Sequence, residues 1–269
     1  MKRLHRALAA VTLTAGLSLT QLPAASAASW GPIDPVSYSV KDITTSSVKG
    51  GCPERTLTVK AKKVPFAGAV PKHVVVFVDF RDAQDQYVGQ DALTFEDPRY
   101  NPQTKRYSMS ATMGICNAST SFGRYTVGRA ELRYGNSIDD VYWGEGRYLA
   151  GSDTTVGHFF VRRAAKASLK ATRSGKRVTL SVSATRFNPV IKTTEWGERY
   201  AAKTRYSTYS GQKVRFEVKS GKTWKPLKTT TISKGKASLK VQASGKRQYR
   251  AVLLKNSTTA GKTTATVRR

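Results

Sequence analysis

Apolar and polar side chains alternate one by one along most of the chain. Residues 177–182 read Arg-Val-Thr-Leu-Ser-Val, and residues 213–218 read Lys-Val-Arg-Phe-Glu-Val. Successive side chains of a β-strand point to opposite faces, so this period puts apolar residues on one face and charged or hydroxyl residues on the other. The pattern predicts strands with one face on a core and the other in solvent.

The same alternation predicts strands along the whole chain, with Gly, Asn, Asp and Pro clusters as turns between them. The predicted strands of the first half are 36–43, 56–62, 73–82, 87–95, 106–113, 125–134 and 156–162. Those of the second half are 177–182, 213–219, 224–230, 236–241, 248–254 and 263–268. Strands at this spacing are typical of two-sheet antiparallel sandwiches. We therefore expect an all-β protein.

Charge divides the chain into two parts. Residues 28–163 hold 17 Lys and Arg against 14 Asp and Glu, a net charge of +3, whereas residues 164–269 hold 26 against 3, a net charge of +23. The change falls at the basic, Ala-rich segment 162–166. So abrupt a shift predicts two separately built domains, 28–163 and 164–269.

The first 27 residues have the three parts of a secretory signal peptide. Three Lys or Arg lie within the first six positions, an apolar run covers 7–19, and Ala-Ser-Ala occupies 25–27. The run is shorter than the roughly 20 residues of a membrane-spanning helix. We expect cleavage before Ala28 and a secreted, extracellular protein without a transmembrane segment, which is either released or held at the cell wall by non-covalent contacts only.

Two cysteines, Cys52 and Cys116, lie in the predicted first domain. An even number of cysteines in an exported protein indicates pairing, so we expect one structural disulfide. Closing the 64-residue loop between them would stabilise the domain by about 4 kcal/mol in the chain-entropy account.

Five segments of the second half carry a resemblance to a known family: 178–182, 211–214, 221–227, 235–239 and 248–251. Together they resemble the Ig-like β-sandwich modules of secreted actinobacterial proteins, over roughly residues 166–269. The resemblance implies an immunoglobulin-like fold and a non-catalytic role. The long segment 186–210 departs from the family pattern.

The first half is less similar to an immunoglobulin domain. Such a domain places a Trp between its paired cysteines, and none lies between Cys52 and Cys116. Residues 123–125, Gly-Arg-Tyr, resemble a tyrosine corner but follow the second cysteine. We expect a sandwich here as well, and so two tandem Ig-like antiparallel β-sandwich domains.

Recognisable catalytic and metal-binding motifs are missing from the sequence after residue 27. Its two histidines, His73 and His158, lie in no known motif, and there is no Gly-x-Ser-x-Gly, His-Glu-x-x-His or Gly-rich phosphate loop. We expect no catalytic residue, no metal and no cofactor. A weaker alternative is a secreted hydrolase with Glu195 and Glu198, since two carboxylates can flank a glycosidic bond.

The basic second half predicts attraction to polyanions, because a net charge this large creates a positive potential over the surface. The candidate ligating residues are basic residues expected to face solvent on strands and turns: Lys213, Arg215, Lys219, Lys222, Lys225, Lys236 and Lys240. Expected partners are anionic wall polymers or acidic polysaccharides, with non-specific attraction to nucleic acid. The alternative is a solvated basic surface with no selected partner.

Four aromatic residues in the segment 186–210 suggest another function. They are interleaved with basic residues: Trp196, Tyr200, Tyr206 and Tyr209. Aromatic rings beside cations can stack on sugars or bases, which predicts a carbohydrate-binding module if the rings are exposed. If the segment instead folds over an open end of the sandwich, the rings are buried.

Overall fold

β-Strands make up almost all of the structure, a computed structural model that describes residues 33–48, 52–63, 73–96, 99–135 and 156–269, with positions 137, 139 and 141. The first-half strands are β1 (Ile33–Val40), β2 (Ile43–Thr45), β3 (Glu54–Lys63), β4 (His73–Arg81), β5 (Tyr87–Glu96), β6 (Arg99–Asn101), β7 (Arg106–Gly114), β8 (Gly123–Gly135) and β9 (Val156–Arg163). A 3₁₀ turn, Cys116–Ser119, joins β7 to β8. The predicted signal peptide, 1–27, lies outside the described residues.

The second half continues with eleven strands after Ala164. They are β10 (Ala165–Ser174), β11 (Arg177–Phe187), β12 (Val190–Thr193), β13 (Arg199–Lys203), β14 (Tyr206–Ser207), β15 (Lys213–Ser220), β16 (Thr223–Thr231), β17 (Lys236–Gln242), β18 (Gln248–Leu253), β19 (Lys262–Thr263) and β20 (Val267–Arg268). We call the described residues up to 163 the first unit and residues 164–269 the second unit.

Each unit is a two-sheet sandwich. In the first unit one sheet has the order β1-β3-β7-β6 and the other the order β2-β9-β8-β4-β5. In the second unit β11 lies between β10 and β17 in one sheet, and the other has the order β16-β15-β18-β19. This grouping of strands is that of the immunoglobulin fold. The predicted fold class, all-β with two tandem Ig-like antiparallel sandwiches, is confirmed.

Two short strands correct the predicted boundaries. The predicted strand 36–43 is two strands, because the chain leaves β3 after Val40 and crosses to the other sheet, where β2 runs parallel to β9. The predicted strand 263–268 is likewise broken, into β19 and β20, which pair with different parts of β18.

The sequence pattern also missed β10 altogether. Its inward positions include Ala165, Ala167 and Ala171, whose small side chains give a weak apolar signal. Only Ala164 separates β10 from β9, so the segment 162–166 that we interpreted as a boundary is almost entirely strand.

Two clusters of buried side chains form the cores. One joins residues from both sheets of the first unit, such as Leu57 and Val127, and the other joins both sheets of the second unit, such as Leu180 and Phe216. The inward rows predicted on β11 and β15 are buried as expected. The domain boundary near residue 164 itself stays a prediction, because one side chain crosses it.

A tyrosine corner closes the β7–β8 connection of the first unit. Tyr125 is fully buried near the start of β8, and its hydroxyl donates a hydrogen bond to the Ser121 carbonyl oxygen at 3.3 Å. This is the local geometry of immunoglobulin sandwiches. Burial, only partly offset by the Ser121 hydrogen bond, raises the pKa of Tyr125 to about 12, so the hydroxyl stays protonated as a donor.

The side chain that crosses between the units is Phe187, the last residue of β11. It is fully buried in the core of the first unit, where its ring lies edge-on to Phe122 at 6.1 Å. On its other side, Tyr206 of β14 packs at 6.0 Å, and the Tyr206 hydroxyl donates to the Ser46 carbonyl at 3.1 Å. The β11 end of the second unit is therefore built into the first.

Backbone hydrogen bonds reinforce this junction. The Ala164 N–H donates to Thr45 and the Phe187 N–H donates to Ala164, at 2.9 and 2.8 Å. Arg163 makes two backbone hydrogen bonds with the second unit. Its N–H donates to the Thr258 carbonyl, and its carbonyl accepts from the Ala260 N–H, both at 2.9 Å. The peptide that connects the units is therefore hydrogen-bonded to both of them.

Replacing Phe187 by Ala should destabilise the first unit, although residue 187 lies on a strand of the second. We expect a cost of about 3 to 5 kcal/mol, as for other buried Phe to Ala changes. Hydrogen exchange read by mass spectrometry should show faster exchange in β3 and β8. The matched control, Phe216→Ala, should speed exchange in β15 and β18 instead. Faster exchange confined to the second unit in Phe187→Ala would contradict the shared core.

Candidate functional site

The seven basic residues singled out from the sequence do not form one patch. Lys213, Arg215 and Lys219 lie on β15, Lys222 lies in the turn to β16, and Lys225 lies on β16. In contrast, Lys236 and Lys240 lie on β17, in the opposite sheet of the sandwich. The fold divides them between two faces, because β16 and β17 follow each other in the sequence but belong to different sheets. Their role as ligating residues stays a prediction.

The face built from β15, β16 and β18 carries its own counter-charge. Glu217 is only 3% exposed, and its carboxylate accepts hydrogen bonds from Arg215 Nε at 2.7 Å and from Arg250 Nε at 2.6 Å. The Arg250 guanidinium also lies 4.3 Å from the centre of the Trp224 ring. Two of the cations on this face are therefore already paired within the protein.

The Glu217 carboxyl group titrates below its ordinary pKa of 4.5. Burial acts to raise that pKa, but the hydrogen bonds and charges of Arg250 and Arg215 together outweigh it. The ionised carboxylate is consequently the form that the folded protein holds at neutral pH.

The opposite sheet exposes a different face, which we call the lysine–serine face. Its lysines are Lys166 and Lys170 on β10 and Lys236 and Lys240 on β17, all exposed, and Arg177 is exposed at the start of β11. Between and beside them lie seven outward hydroxyl residues: Ser168, Thr172, Thr179, Ser181, Ser183, Thr185 and Ser238. The inward residues of the same strands line the core.

Strand register fixes where these lysines stand. On β11, Ser183 lies between Ser168 and Lys236, and the next outward residue, Ser181, lies between Lys170 and Ser238. The lysines of β10 and β17 thus alternate from side to side in steps of two residues, or roughly 7 Å. A row of hydroxyl groups on β11 runs down the middle.

No carboxylate belongs to these three strands. The sequences of β10, β11 and β17 contain neither Asp nor Glu. The three acidic residues of the second unit lie elsewhere, Glu217 on β15 and Glu195 and Glu198 beside the β12–β13 turn. Within the residues that the structure describes, Lys170, Lys236 and Lys240 take part in no ion pair. Their charge is available to a ligand.

Sequence reasoning missed Lys166 and Lys170, two of the four lysines on this face. Both lie on the overlooked strand β10, so no alternation had marked them as outward. The signal that would have found them is the spacing of four residues, Lys166 to Lys170 and Lys236 to Lys240, with Ala-Ser-Leu between the lysines in the first case and in the second.

The four aromatic residues of the segment 186–210 do not form an exposed row. Trp196, 83% exposed, lies in the β12–β13 turn, and Tyr200 is exposed on β13. Tyr206 packs at the junction with the first unit, as described above. Tyr209 belongs to the second core, donates a hydrogen bond to the Gln212 side chain, and has its pKa raised by burial to about 12.

The structure does not oppose Glu195 and Glu198 across a cleft. Both are exposed and lie on one hairpin turn, which the Glu198 carbonyl closes by accepting the Thr194 N–H at 2.8 Å. Among the residues described, there is no group of His, Cys, Asp and Glu that would hold a metal ion. Nor does any helix in the described part have the length and apolarity needed to cross a bilayer.

Glu217→Gln should lower stability at neutral pH, because Arg215 and Arg250 lose their charged partner. Since both arginines are partly exposed, we expect only about 1 to 2 kcal/mol. A carboxyl with a lowered pKa stabilises the fold above pH 4.5 and loses that effect as the pH falls further. The gap in melting temperature between the variant and the natural protein should therefore narrow as the pH is lowered from neutral to below 4.5. The exposed control, Glu198→Gln, should show no gap at either pH, and a Glu217 gap independent of pH would refute the assignment.

No protein-family model and no curated protein matches the chain. Among solved structures, the FN1-FN3 domains of chicken CNTN1 align with 89% of this chain and 68% of that one, at 11% identity and a TM-score of 0.31. The D0-D1 domain of Intimin aligns over 87% and 97%, at 13% identity and a TM-score of 0.25. Trypsin-activated alpha-2-macroglobulin from Escherichia coli aligns over 90% of this chain, which spans only 16% of that protein, at 8% identity and a TM-score of 0.25. At such scores the comparisons carry no argument, and the Ig-like fold follows from the strand order.

Proposed function

We propose that this chain is a non-catalytic, exported binding protein that associates with anionic polymers of the cell envelope or the extracellular medium. The lysine–serine face carries the proposal. It combines four exposed, staggered lysines with a floor of hydroxyl groups, and its strands contain no carboxylate.

The staggered lysines suit a linear polyanion lying along β11. Ammonium groups reach inward from alternate sides at intervals of roughly 7 Å, so successive anionic groups of one chain meet successive cations. The hydroxyl groups beneath donate hydrogen bonds to the oxygens of the same anionic groups. Phosphate-bearing wall polymers and acidic polysaccharides have the required chemistry, and nucleic acid would bind by charge alone.

The β15 face is the weaker candidate for the same role. Lys213, Lys219, Lys222 and Lys225 are exposed there, but Glu217 neutralises part of the charge and occupies Arg215. A polymer on this face would meet a carboxylate at its centre, whereas the strands of the lysine–serine face carry none.

A second candidate function, binding of neutral sugars, has one observation in its favour. Trp196 is 83% exposed at the turn of a two-stranded hairpin, with Tyr200 exposed on β13. Stacking on sugar rings depends little on ionic strength, so the two functions respond differently to salt.

Neutralising the lysine–serine face should release the protein from a polyanion at lower salt. We expect the variant with Lys166, Lys170, Lys236 and Lys240 all replaced by Gln to elute earlier from immobilised long-chain polyphosphate. If each lost contact lowers the salt slope by roughly 0.7, as for single-stranded nucleic acids, the plot of log K against log salt should flatten by about 2 to 3.

A matched control removes the same charge from other surfaces of the second unit. It replaces four exposed lysines away from β10, β11 and β17 by Gln: Lys192, Lys228, Lys246 and Lys262. Equal losses in the two variants would mean that net charge alone binds the polymer, which contradicts a dedicated face. Binding to neutral polysaccharide beads that survives high salt and disappears in Trp196→Ala would support the sugar-binding candidate instead.

Export and the disulfide belong to the same proposal. The strand pairing that joins Glu54 of β3 to Gly114 of β7 continues past both strand ends, since the Ile115 N–H donates to the Pro53 carbonyl at 3.1 Å. Cys52 precedes Pro53 and Cys116 follows Ile115, which supports the proposal of a disulfide between them. A bond between them would tie two neighbouring strands of one sheet, which differs from the bond across the sandwich in antibody domains.

The exported chain should begin at Ala28 and contain no thiol that reacts before reduction. Mass spectrometry of the protein recovered from medium or cell wall, with alkylation before and after reduction, checks both points. We expect Cys52→Ser and Cys116→Ser each to lose about 2 to 5 kcal/mol of stability, and the double variant to lose no more than either alone. Alkylation of both thiols without reductant would contradict the disulfide.

A further inference from the structure

A recess lies at one end of the lysine–serine face, beside the junction with the first unit. Its volume is about 470 Å³. Three lysines line it: Lys166 from β10, and Lys234 and Lys236 from the turn that leads into β17. Hydroxyl residues from β10, β11 and the segment after β14 line it as well: Ser168, Ser183, Thr185 and Thr208.

The recess exists because β11 changes its neighbour at this point. β17 pairs with β11 as far as Ser183, and β14 begins to pair only at Arg186. In the gap between them, the Ala184 N–H donates to the Gly235 carbonyl at 2.8 Å. The edge of the sheet therefore has a gap between β17 and β14, which we call the notch. The Ala184 N–H at this gap is still hydrogen-bonded.

The turn that borders the notch is held on both sides. Ser233 and Lys236 exchange backbone hydrogen bonds across Lys234 and Gly235, at 2.8 and 2.9 Å. The Gly235 N–H donates to the Tyr209 carbonyl at 2.7 Å, and the Lys234 N–H donates to the Ser210 hydroxyl at 2.8 Å. Gly235 has a φ of 77°, and a Cβ there would lie 2.8 Å from the Ala184 oxygen and from Thr208 Cγ2. Only glycine fits.

Lys234 occupies a position that does not suit lysine. Its φ is 47°, as required at the first central residue of this two-residue turn, where Asn, Asp and Gly are favoured. A lysine there is held in a backbone conformation that costs free energy, and such positions concentrate where a side chain has a task. Here the task that the surroundings indicate is to place a third ammonium group at the recess.

We propose that this recess binds a single tetrahedral oxyanion, a phosphate or sulfate group of the polymer that lies along the face. The inference rests on the proposed function and names the group that the site recognises. Three lysines and four hydroxyl residues line the recess, and together they can supply more donors than the two oxygens of a carboxylate accept. The several oxygens of a phosphate or sulfate group match them better.

Short anions test the recess separately from the long face. Tripolyphosphate is the phosphate probe and a sulfated disaccharide is the sulfate probe, with acetate as the carboxylate comparison. Titrated into the full-length protein and followed by amide NMR, the preferred probe should shift residues 183–185 and 234–236 most. Acetate should bind at least tenfold more weakly, since it can use fewer donors.

Lys234→Asn separates binding from folding. Asn is favoured at this turn position, so the melting temperature should stay the same or rise. The dissociation constant for the preferred probe should nevertheless increase by about tenfold, as for loss of one charge-assisted contact. The control, Lys246→Asn, removes the same charge from an exposed loop at the other end of β17. It should change the dissociation constant less than twofold.

Ser183→Ala tests the hydroxyl contribution without changing any charge, and should weaken probe binding about threefold. Equal effects of Lys234→Asn and Lys246→Asn, or shifts spread evenly over the basic surface, would overturn the recess. If the recess fails in this way while long-chain polyphosphate still depends on the lysine–serine face, the proposed function stands without it. The proposed function would be contradicted by a different result, namely long-chain polyphosphate binding that does not depend on the lysine–serine face.

Discussion

The burial of Phe187 is the contact on which the arrangement of the two units depends. Ser181, Ser183 and Thr185 precede it on the same outward row of β11, so a strand of this period would leave its ring in solvent on the lysine–serine face. The first unit covers the ring instead and takes it into its own core. Phe187, the apolar residue at the end of the hydroxyl row of β11, thereby connects the two units and marks the end of the lysine–serine face.

This placement gives the lysine–serine face a closed end and an open end. The hydroxyl row of β11 is open toward Arg177 and is stopped at Phe187, where the first unit begins. Lys166 stands at the closed end, and its ammonium group lies 4.0 Å from the centre of the Tyr206 ring, which holds it near the recess. A polymer on the face would therefore extend away from the first unit, and the recess lies where such a chain would stop.

A feature of this structure could be predicted from the sequence when neighbouring residues alone determine it. The strands with strong alternation, such as β11 and β15, were predicted because every second residue is apolar in the local sequence. The strand β10 was not, because its inward alanines contrast weakly with its serines. The candidate cations went to two faces because sheet membership depends on which distant strands pair, and no local pattern records that. Lys234 was missed for a related reason, since its position matters only through the notch between β14 and β17.

The face and the recess would contribute differently to recognition. Exposed lysines attract any polyanion, and screening shortens their reach from about 10 Å at 0.1 M salt to about 3 Å at 1 M. A face of this kind gives affinity and orientation along the strand but little selectivity. The turn at Lys234 and Gly235 is fixed by backbone hydrogen bonds that use its own N–H groups, so only the Lys234 side chain has to be ordered when an anion arrives. A group with too few oxygens would satisfy fewer of the donors that line the recess. Selectivity would then come from the recess, where the backbone fixes the Cα of Lys234 and hydroxyl residues from three segments complement its charge.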